Sequence, residues 1–241
     1  MREEIIRLGG TVRFDTQVTD LLTEQSRVCG VKISFADPQT GAPVEEEIKS
    51  SVVVLAIGHS ARDTFSMLLD RKVPMEQKAF AVGLRIQHPQ KMINLSQYGR
   101  EEAGALGAAN YKLTRQTKSG RGVYSFCMCP GGYVVNASSE SGRLAVNGMS
   151  YHNRAGENAN SALIVTVTPE DFPEGGALGG VAFQRKLEEA AYQAAGGKIP
   201  VQLYGDFCQN VISRKLGGVN PQMRGEWAFG DVRSILPEPL N

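Results

Sequence analysis

The six-residue run "VVVLAI", residues 52–57, is the feature that most limits how this chain can fold. It contains no polar side chain, begins with three valines and runs directly into Gly58. β-Branched residues favour strands, and an unbroken apolar run is typical of a strand buried on both faces, as in a parallel sheet covered by helices. A piece of buried helix is the alternative, which the valines and the glycine disfavour.

After Gly58 the pattern changes from strand to helix. Ser60 and Asp63 have the spacing of a capping box, and apolar residues then recur at helical intervals from Phe65. The sequence therefore predicts a strand, a tight turn and a helix N-terminus, where backbone N–H groups favour a phosphate or another anion. A plain connection without a ligand remains open, and His59 on this turn is either a structural or a cofactor-side histidine.

Short strands are predicted along most of the remaining chain. Four of them form a β-meander over residues 11–49, and an alternating strand over 78–90 places Arg85 beside small neighbours on its polar face. Residues 91–120 are predicted to be loop-rich, either mobile or a lid. One long helix is expected near 181–195, ended by two glycines.

The strand "VYSFCMC", residues 123–129, predicts two cysteines on one face. Strict alternation directs Cys127 and Cys129 to the same side and Tyr124 to the other. Packed thiols, a redox or substrate role, and a weak metal site are the alternatives. The amide-rich stretch 153–160 is predicted to be a polar loop. Pocket lining and ordinary surface are the alternatives for this stretch and for Tyr111, Lys112 and Arg121.

Composition excludes several classes of function. A net charge of +1 with scattered basic residues disfavours nucleic-acid binding, and no run of about 18 apolar residues predicts a membrane span. Four unevenly spaced cysteines favour a reducing, cytoplasmic setting. No histidine spacing suggests a metal site, and the dinucleotide fingerprint G-x-G-x-x-G is absent.

Several long stretches resemble a family of uncharacterised bacterial FAD-dependent (NAD/FAD-utilising) dehydrogenases. They are "VVVLAIGHSARDTF", "KAFAVGLRIQHPQ", "ANYKL", "YSFCMCPGGYVVNASSE", "NGMSYHNRAGENANSA" and "FQRKLEEAAY". The resemblance covers nearly all of residues 1–210. It implies a fold of mixed α and β class, α+β or α/β, that is β-rich: the remnant of a Rossmann-type FAD-binding domain plus an inserted β-rich middle domain.

The resemblance also implies a domain division and a truncated cofactor cradle. Residues 1–77 match part of an FAD-binding domain, with the meander, the buried strand and a helix. Residues 78–241 match the inserted substrate-side domain. The chain is then an internal fragment of a longer flavoprotein. The full-length parent is expected to bind FAD and the fragment is not, and NAD(P)H is a candidate hydride donor.

Site residues and partners follow from the same resemblance. The cofactor-side residues are Ala56, Ile57, Gly58, His59, Ser60 and Arg62. The residues expected toward flavin and substrate are Arg85, Tyr124, Cys127, Cys129, Asn158 and Asn160. The expected activity is hydride transfer between flavin and a small organic substrate, without nucleic-acid or membrane partners. A homodimer through the exposed apolar surface of residues 52–57 is a further expectation.

Two other hypotheses remain open at the level of the sequence. A ligand-binding or RNA-binding module that kept a flavoprotein scaffold is compatible with the lack of a clear acid–base pair, although the near-zero net charge disfavours RNA. A metal or thiol-redox domain centred on Cys127 and Cys129 is the other, and it predicts loss of function when these thiols are replaced by Ser.

Overall fold

The computed structural model of the protein describes residues 1–240. The chain divides into two compact units, Met1–Met75 and Glu76 onward. The protein is β-rich with mixed α and β content. No helix in the described residues is both long enough and apolar enough to cross a membrane.

The first unit is a three-stranded antiparallel meander with two helices. Its elements are α1 (Arg2–Arg7), β1 (Thr16–Glu24), β2 (Arg27–Ala36), β3 (Pro43–Lys49) and α2 (Arg62–Asp70). The turn between β1 and β2 holds Gln25 and Ser26 at φ 48° and 62°, the left-handed pair that a two-residue hairpin requires. The meander therefore has three strands rather than four, because residues 11–14 form none.

The prediction of a buried strand over residues 52–57 is wrong for this structure. The segment has no regular secondary structure, and Val52 and Val54 are 72% and 83% exposed. A strand needs a neighbour for its N–H and C=O groups, and none of the described strands pairs with this segment. The Ser50 hydroxyl donates instead to the Val52 carbonyl at 2.7 Å.

The capping box predicted at the start of α2 does not form. The helix begins at Arg62 with Ala61 at the N-cap position and no side-chain cap. The Asp63 carboxylate accepts a hydrogen bond from Gln17 Nε2 at 2.6 Å, so α2 is tied to β1 rather than to its own first turn. A tertiary bond has replaced the local one that the spacing suggested.

The second unit is built on a four-stranded antiparallel sheet of order β4-β9-β6-β5. These strands are β4 (Phe80–Pro89), β5 (Thr114–Gln116), β6 (Gly122–Cys129) and β9 (Asn158–Val167). A second sheet of order β11-β7-β8 contains β7 (Gly132–Asn136), β8 (Val146–Ser150) and β11 (Met223–Arg224). A parallel pair joins β10 (Ile199–Val201) to β12 (Trp227–Phe229), and the helices are α3 (Gln90–Tyr98), α4 (Gly179–Ala194) and α5 (Tyr204–Gln209).

An aromatic-rich apolar core lies between one face of this sheet and α4. Phe80 pairs with Val167 across β4 and β9, and both pack against Phe172 and against Phe183 of α4. The Phe172 and Phe183 ring centroids are 5.6 Å apart. The helix predicted near 181–195 is thus confirmed, and its apolar stripe packs against Phe80 and Val82 of the strand predicted over 78–90, whereas Ile86 on the same predicted face is 37% exposed.

Helix α3 lies within a region that was predicted to be loop. Its stability comes from buried amides: Gln90 Nε2 donates to Asn94 Oδ1 at 2.9 Å, and Asn94 Oδ1 also accepts from the Ala109 N–H at 3.0 Å. Gln90 Oε1 accepts from the Gly131 N–H at 2.8 Å. Polar side chains therefore fix this helix, which hides it from a search for apolar periodicity.

The aromatic core generates a prediction about the second unit. Phe183 is 4% exposed, so Phe183→Ala leaves a cavity and should lower the free energy of unfolding by about 3–5 kcal/mol. Urea unfolding followed by the fluorescence of the single tryptophan, Trp227, measures the change in this unit. Leu106→Ala is the control, because Leu106 is 60% exposed and its loss should change stability by less than about 0.5 kcal/mol. Equal effects of the two variants would contradict the packing described.

Candidate functional site

A β-bulge in β6 shapes the candidate site. Pairing of β6 with β9 is regular to Phe126 and resumes, shifted, at Cys129. Within the bulge Cys127 has φ 47°, a left-handed conformation that is uncommon for a non-glycine residue. Cys127 is exposed and Cys129 is 7% exposed, so the prediction that the two share one face is wrong: the bulge inserts a residue and breaks the alternation.

Arg85 lies in β4, across β9 from this bulge. Its Nη1 donates to Asn160 Oδ1 at 2.5 Å and to the Cys127 carbonyl at 3.3 Å, and its Nη2 donates to Asn147 Oδ1 at 3.4 Å. Within residues 1–240, no carboxylate forms an ion pair with this guanidinium. The three acceptors are neutral oxygens, so these bonds do not balance the positive charge of Arg85.

Gly148 of β8 provides the space that Arg85 occupies. A Cβ atom at Gly148 would lie 2.1 Å from Arg85 Nη1 and 2.3 Å from Asn160 Oδ1. Any side chain there would displace the guanidinium, so the close approach requires glycine. Sequence reasoning did not select Gly148 or Asn147, although a glycine inside a strand pattern is a signal of such an approach.

Asn158 and Asn160 were predicted in a polar loop and lie instead in β9, where they are 5% and 0% exposed. Asn158 Nδ2 donates to the Asn220 carbonyl at 2.7 Å. Asn160 is paired in register with Gln87 and Cys129, and its Nδ2 has no hydrogen-bond partner in the part of the chain that the structure describes. The local polarity of residues 153–160 misled the prediction, because the partners of these amides are distant in sequence.

The Cys129 thiol is held in its protonated form. Burial raises its pKa, and the nearby Arg85 opposes that shift only in part. The thiol donates to the Cys127 carbonyl at 3.3 Å. No group of three or more His, Cys, Asp or Glu side chains suited to a metal ion occurs among the described residues. A buried neutral thiol is a poor nucleophile, so the geometry does not favour thiol chemistry at Cys129.

His88 and Tyr111 form a second titratable pair near the same end of the sheet. Their ring centroids are 5.5 Å apart. Burial lowers the pKa of His88, and His88 Nε2 has no hydrogen-bond partner within residues 1–240. Burial raises the pKa of Tyr111, with Ser161 and Arg85 opposing, so its hydroxyl stays protonated at neutral pH and can donate.

The remaining predicted residues are placed as follows. Residues 56–60 are exposed, and Gly58 has φ 69°, so the chain turns here as predicted. Arg62 is only 4% exposed at the start of α2. Tyr124 is half-buried in β6, opposite Thr114 and Ile164. Residues 56–62 belong to the first unit. Arg85 and its hydrogen-bond partners Cys127, Asn147 and Asn160, called the Arg85 cluster below, belong to the second unit, so the two predicted sets of site residues lie in separate units.

The fold and the Arg85 cluster together define a class: a β-rich protein of mixed α and β content whose four-stranded sheet carries a guanidinium with no acidic partner among residues 1–240. The comparisons with known proteins are more specific. A family model described as "FAD-dependent protein, C-terminal domain-like" matches residues 79–241, so the chain belongs to that family of FAD-dependent proteins.

A similar protein occurs in Clostridium beijerinckii. It is 47% identical over 242 residues, which cover 99% of this chain, and its description is "Uncharacterized protein". The chain spans 44% of the length of that relative. The expected membership of an FAD-dependent family is therefore confirmed, while the relative's description assigns no activity.

The pH dependence of stability follows from His88. Its pKa is lower in the folded protein than the usual value of about 6.5. As the pH falls below about 6.5, this histidine becomes protonated in the unfolded chain but not to the same extent in the folded chain. The free energy of unfolding therefore falls as the pH drops from 7 toward 5. His88→Asn should reduce this fall in urea titrations at several pH values. His152→Asn, which changes an exposed histidine, is the matched control, and identical pH profiles for both variants would contradict the assignment.

Proposed function

We propose that this chain belongs to a flavin-dependent oxidoreductase, a dehydrogenase that transfers hydride between FAD and a small organic substrate, with NAD(P)H as the candidate donor. The observation that carries the proposal is the Arg85 cluster in the region that matches the FAD-dependent family. FAD supplies the hydride chemistry when it is bound, and the residues of this chain supply orientation and charge.

Two groups in the cluster would gain from an acceptor that a ligand supplies. Arg85 carries a charge without a carboxylate partner, and the buried Asn160 Nδ2 has no acceptor. A buried donor without an acceptor costs about 1–3 kcal/mol, so a ligand that offers acceptor oxygens would stabilise this arrangement. The isoalloxazine ring of FAD carries carbonyl oxygens and ring nitrogens along one edge, and it fits this donor set.

Arg85 is the residue to which we assign flavin binding in the second unit. Gly148 and Asn160 position it, because Gly148 leaves the space that the guanidinium occupies and Asn160 Oδ1 accepts its hydrogen bond. The neutral Cys129 thiol and Tyr124 lie on β6 on opposite sides of the bulge along the strand, and we propose that they shape the surroundings of flavin and substrate. None of the described groups has the geometry of a general acid or base for an identified substrate, so we assign no such role.

In the first unit we propose a role for the turn at residues 56–60. Its exposed backbone, the left-handed Gly58 and the start of α2 are the features by which a Rossmann-type domain meets the FAD pyrophosphate. The exposed valines of residues 52–57 would then complete a nucleotide-binding sheet in a longer polypeptide, as the greater length of the relative permits. Alternatively, a second copy of the chain would pack against these exposed valines, and sedimentation would then detect a dimer.

The test uses the protein expressed from its complete gene. We expect it to be yellow, with a flavin spectrum, or to become so when FAD is added. Arg85→Gln should weaken FAD binding about tenfold or more in a fluorescence-quenching titration, because it removes a charge-assisted hydrogen bond. Arg115→Gln is the control, since Arg115 is an exposed arginine of β5 outside the cluster.

Two outcomes would count against the proposal in different ways. A complete protein that remains colourless with added FAD would overturn the flavoenzyme assignment. Unchanged FAD affinity in Arg85→Gln, with normal binding by the parent protein, would instead remove Arg85 from the flavin site and leave the family assignment intact.

A further inference from the structure

The second unit contains a cavity of about 360 Å³ beside the bulge of β6. Its lining includes Tyr111, Lys112, Phe126, Cys127, Met128 and Arg154. Its volume lies within the range of small-molecule sites. The cavity joins three chain segments that are distant in sequence: the stretch before β5, the bulge, and the turn before β9.

The charge of this cavity is positive. Lys112 and Arg154 contribute two cations, and no carboxylate is among its lining residues in the described part of the chain. Neither Lys112 nor Arg154 forms an ion pair within residues 1–240, whereas Arg121 pairs with Asp171 at 2.5 Å. Two unpaired cations at the edge of one cavity favour an anionic occupant.

The backbone around the cavity is held in an uncommon conformation at two places. Cys127 and Arg154 have φ 47° and 49°, both left-handed and neither a glycine. The Arg154 carbonyl is held close to Gly131, where a Cβ atom would approach it to 1.8 Å, and the Gly156 N–H donates to the Gly131 carbonyl at 3.1 Å. Such conformations persist only where surrounding contacts impose them, and they cluster at ligand sites.

The rest of the lining is suited to an apolar body. Phe126 is 60% exposed, a large value for a phenylalanine, and Met128 and Pro130 lie beside it in the lining. The Tyr111 hydroxyl, kept protonated because burial raises its pKa, adds a donor. The combination of an exposed aromatic surface with two cations distinguishes an organic carboxylate from inorganic phosphate, which has no apolar part to bury.

We propose that this cavity binds a small organic carboxylate, with the carboxylate between Lys112 and Arg154 and the apolar body against Phe126. This proposal extends the proposed function. It rests on that function only where it identifies small organic carboxylates as the substrate class of the enzyme. Cys127 connects the two sites, because it lines the cavity and its carbonyl accepts a hydrogen bond from Arg85.

Benzoate is the probe, titrated by calorimetry into the protein without FAD. We expect binding with a Kd of about 1 mM or tighter, and binding of the neutral analogue benzyl alcohol about tenfold weaker or more. Lys112→Gln and Arg154→Gln should each weaken benzoate binding about tenfold. Phe126→Ala should weaken the binding of both benzoate and benzyl alcohol. Lys118→Gln removes an exposed cation outside the lining and is the matched control.

Each result of this titration decides between the alternatives. Benzoate binding that Lys112→Gln and Lys118→Gln reduce equally, or no benzoate binding at all, would overturn the proposal. Inorganic phosphate that binds as tightly as benzoate would overturn the carboxylate assignment in favour of a simple anion site. Because FAD is absent from the titration, a protein that binds benzoate but never FAD would retain this site and lose the proposed flavoenzyme function.

Discussion

The hydrogen bond from Arg85 to Asn160 is the interaction on which the candidate site depends. It positions a half-buried guanidinium that also donates to the neutral oxygens of Cys127 and Asn147 and forms no ion pair within residues 1–240. Gly148 leaves room for it, and the bulge at Cys127 directs a carbonyl toward it. These residues come from four strands, so the site exists only when the two sheets of the second unit have assembled.

The bulge also links the two ligand sites that we propose. An unbroken β6 would have directed Cys127 and Cys129 to one face and left no cavity wall at this position. With the extra residue, the Cys127 carbonyl accepts from Arg85 while the residue itself lines the cationic cavity. Flavin and carboxylate would then bind at adjacent sites that share Cys127, and direct hydride transfer requires such adjacent molecules to be in contact.

Periodicity predicted the elements whose stability comes from apolar faces. Helix α4, strand β4 and the hairpin strands β1 and β2 follow from spacing alone, because burial of one face stabilises each of them. Features that depend on partners distant in sequence were not predictable. The amides of α3 and β9 bond to residues distant in sequence, such as Ala109, Gly131 and Asn220. The bulge at Cys127 leaves no compositional signal, and residues 52–57 have the sequence pattern of a strand but no described strand pairs with them.

The central claim is that the Arg85 guanidinium binds the flavin. A crystal structure of the complete gene product, grown with FAD, tests this claim most directly. The account predicts that an acceptor atom of the flavin lies within hydrogen-bond distance of the Arg85 guanidinium, with Asn160 Oδ1 still its partner on the protein side. A carboxylate from elsewhere in the polypeptide paired with Arg85, and FAD bound at a distance from it, would contradict the account.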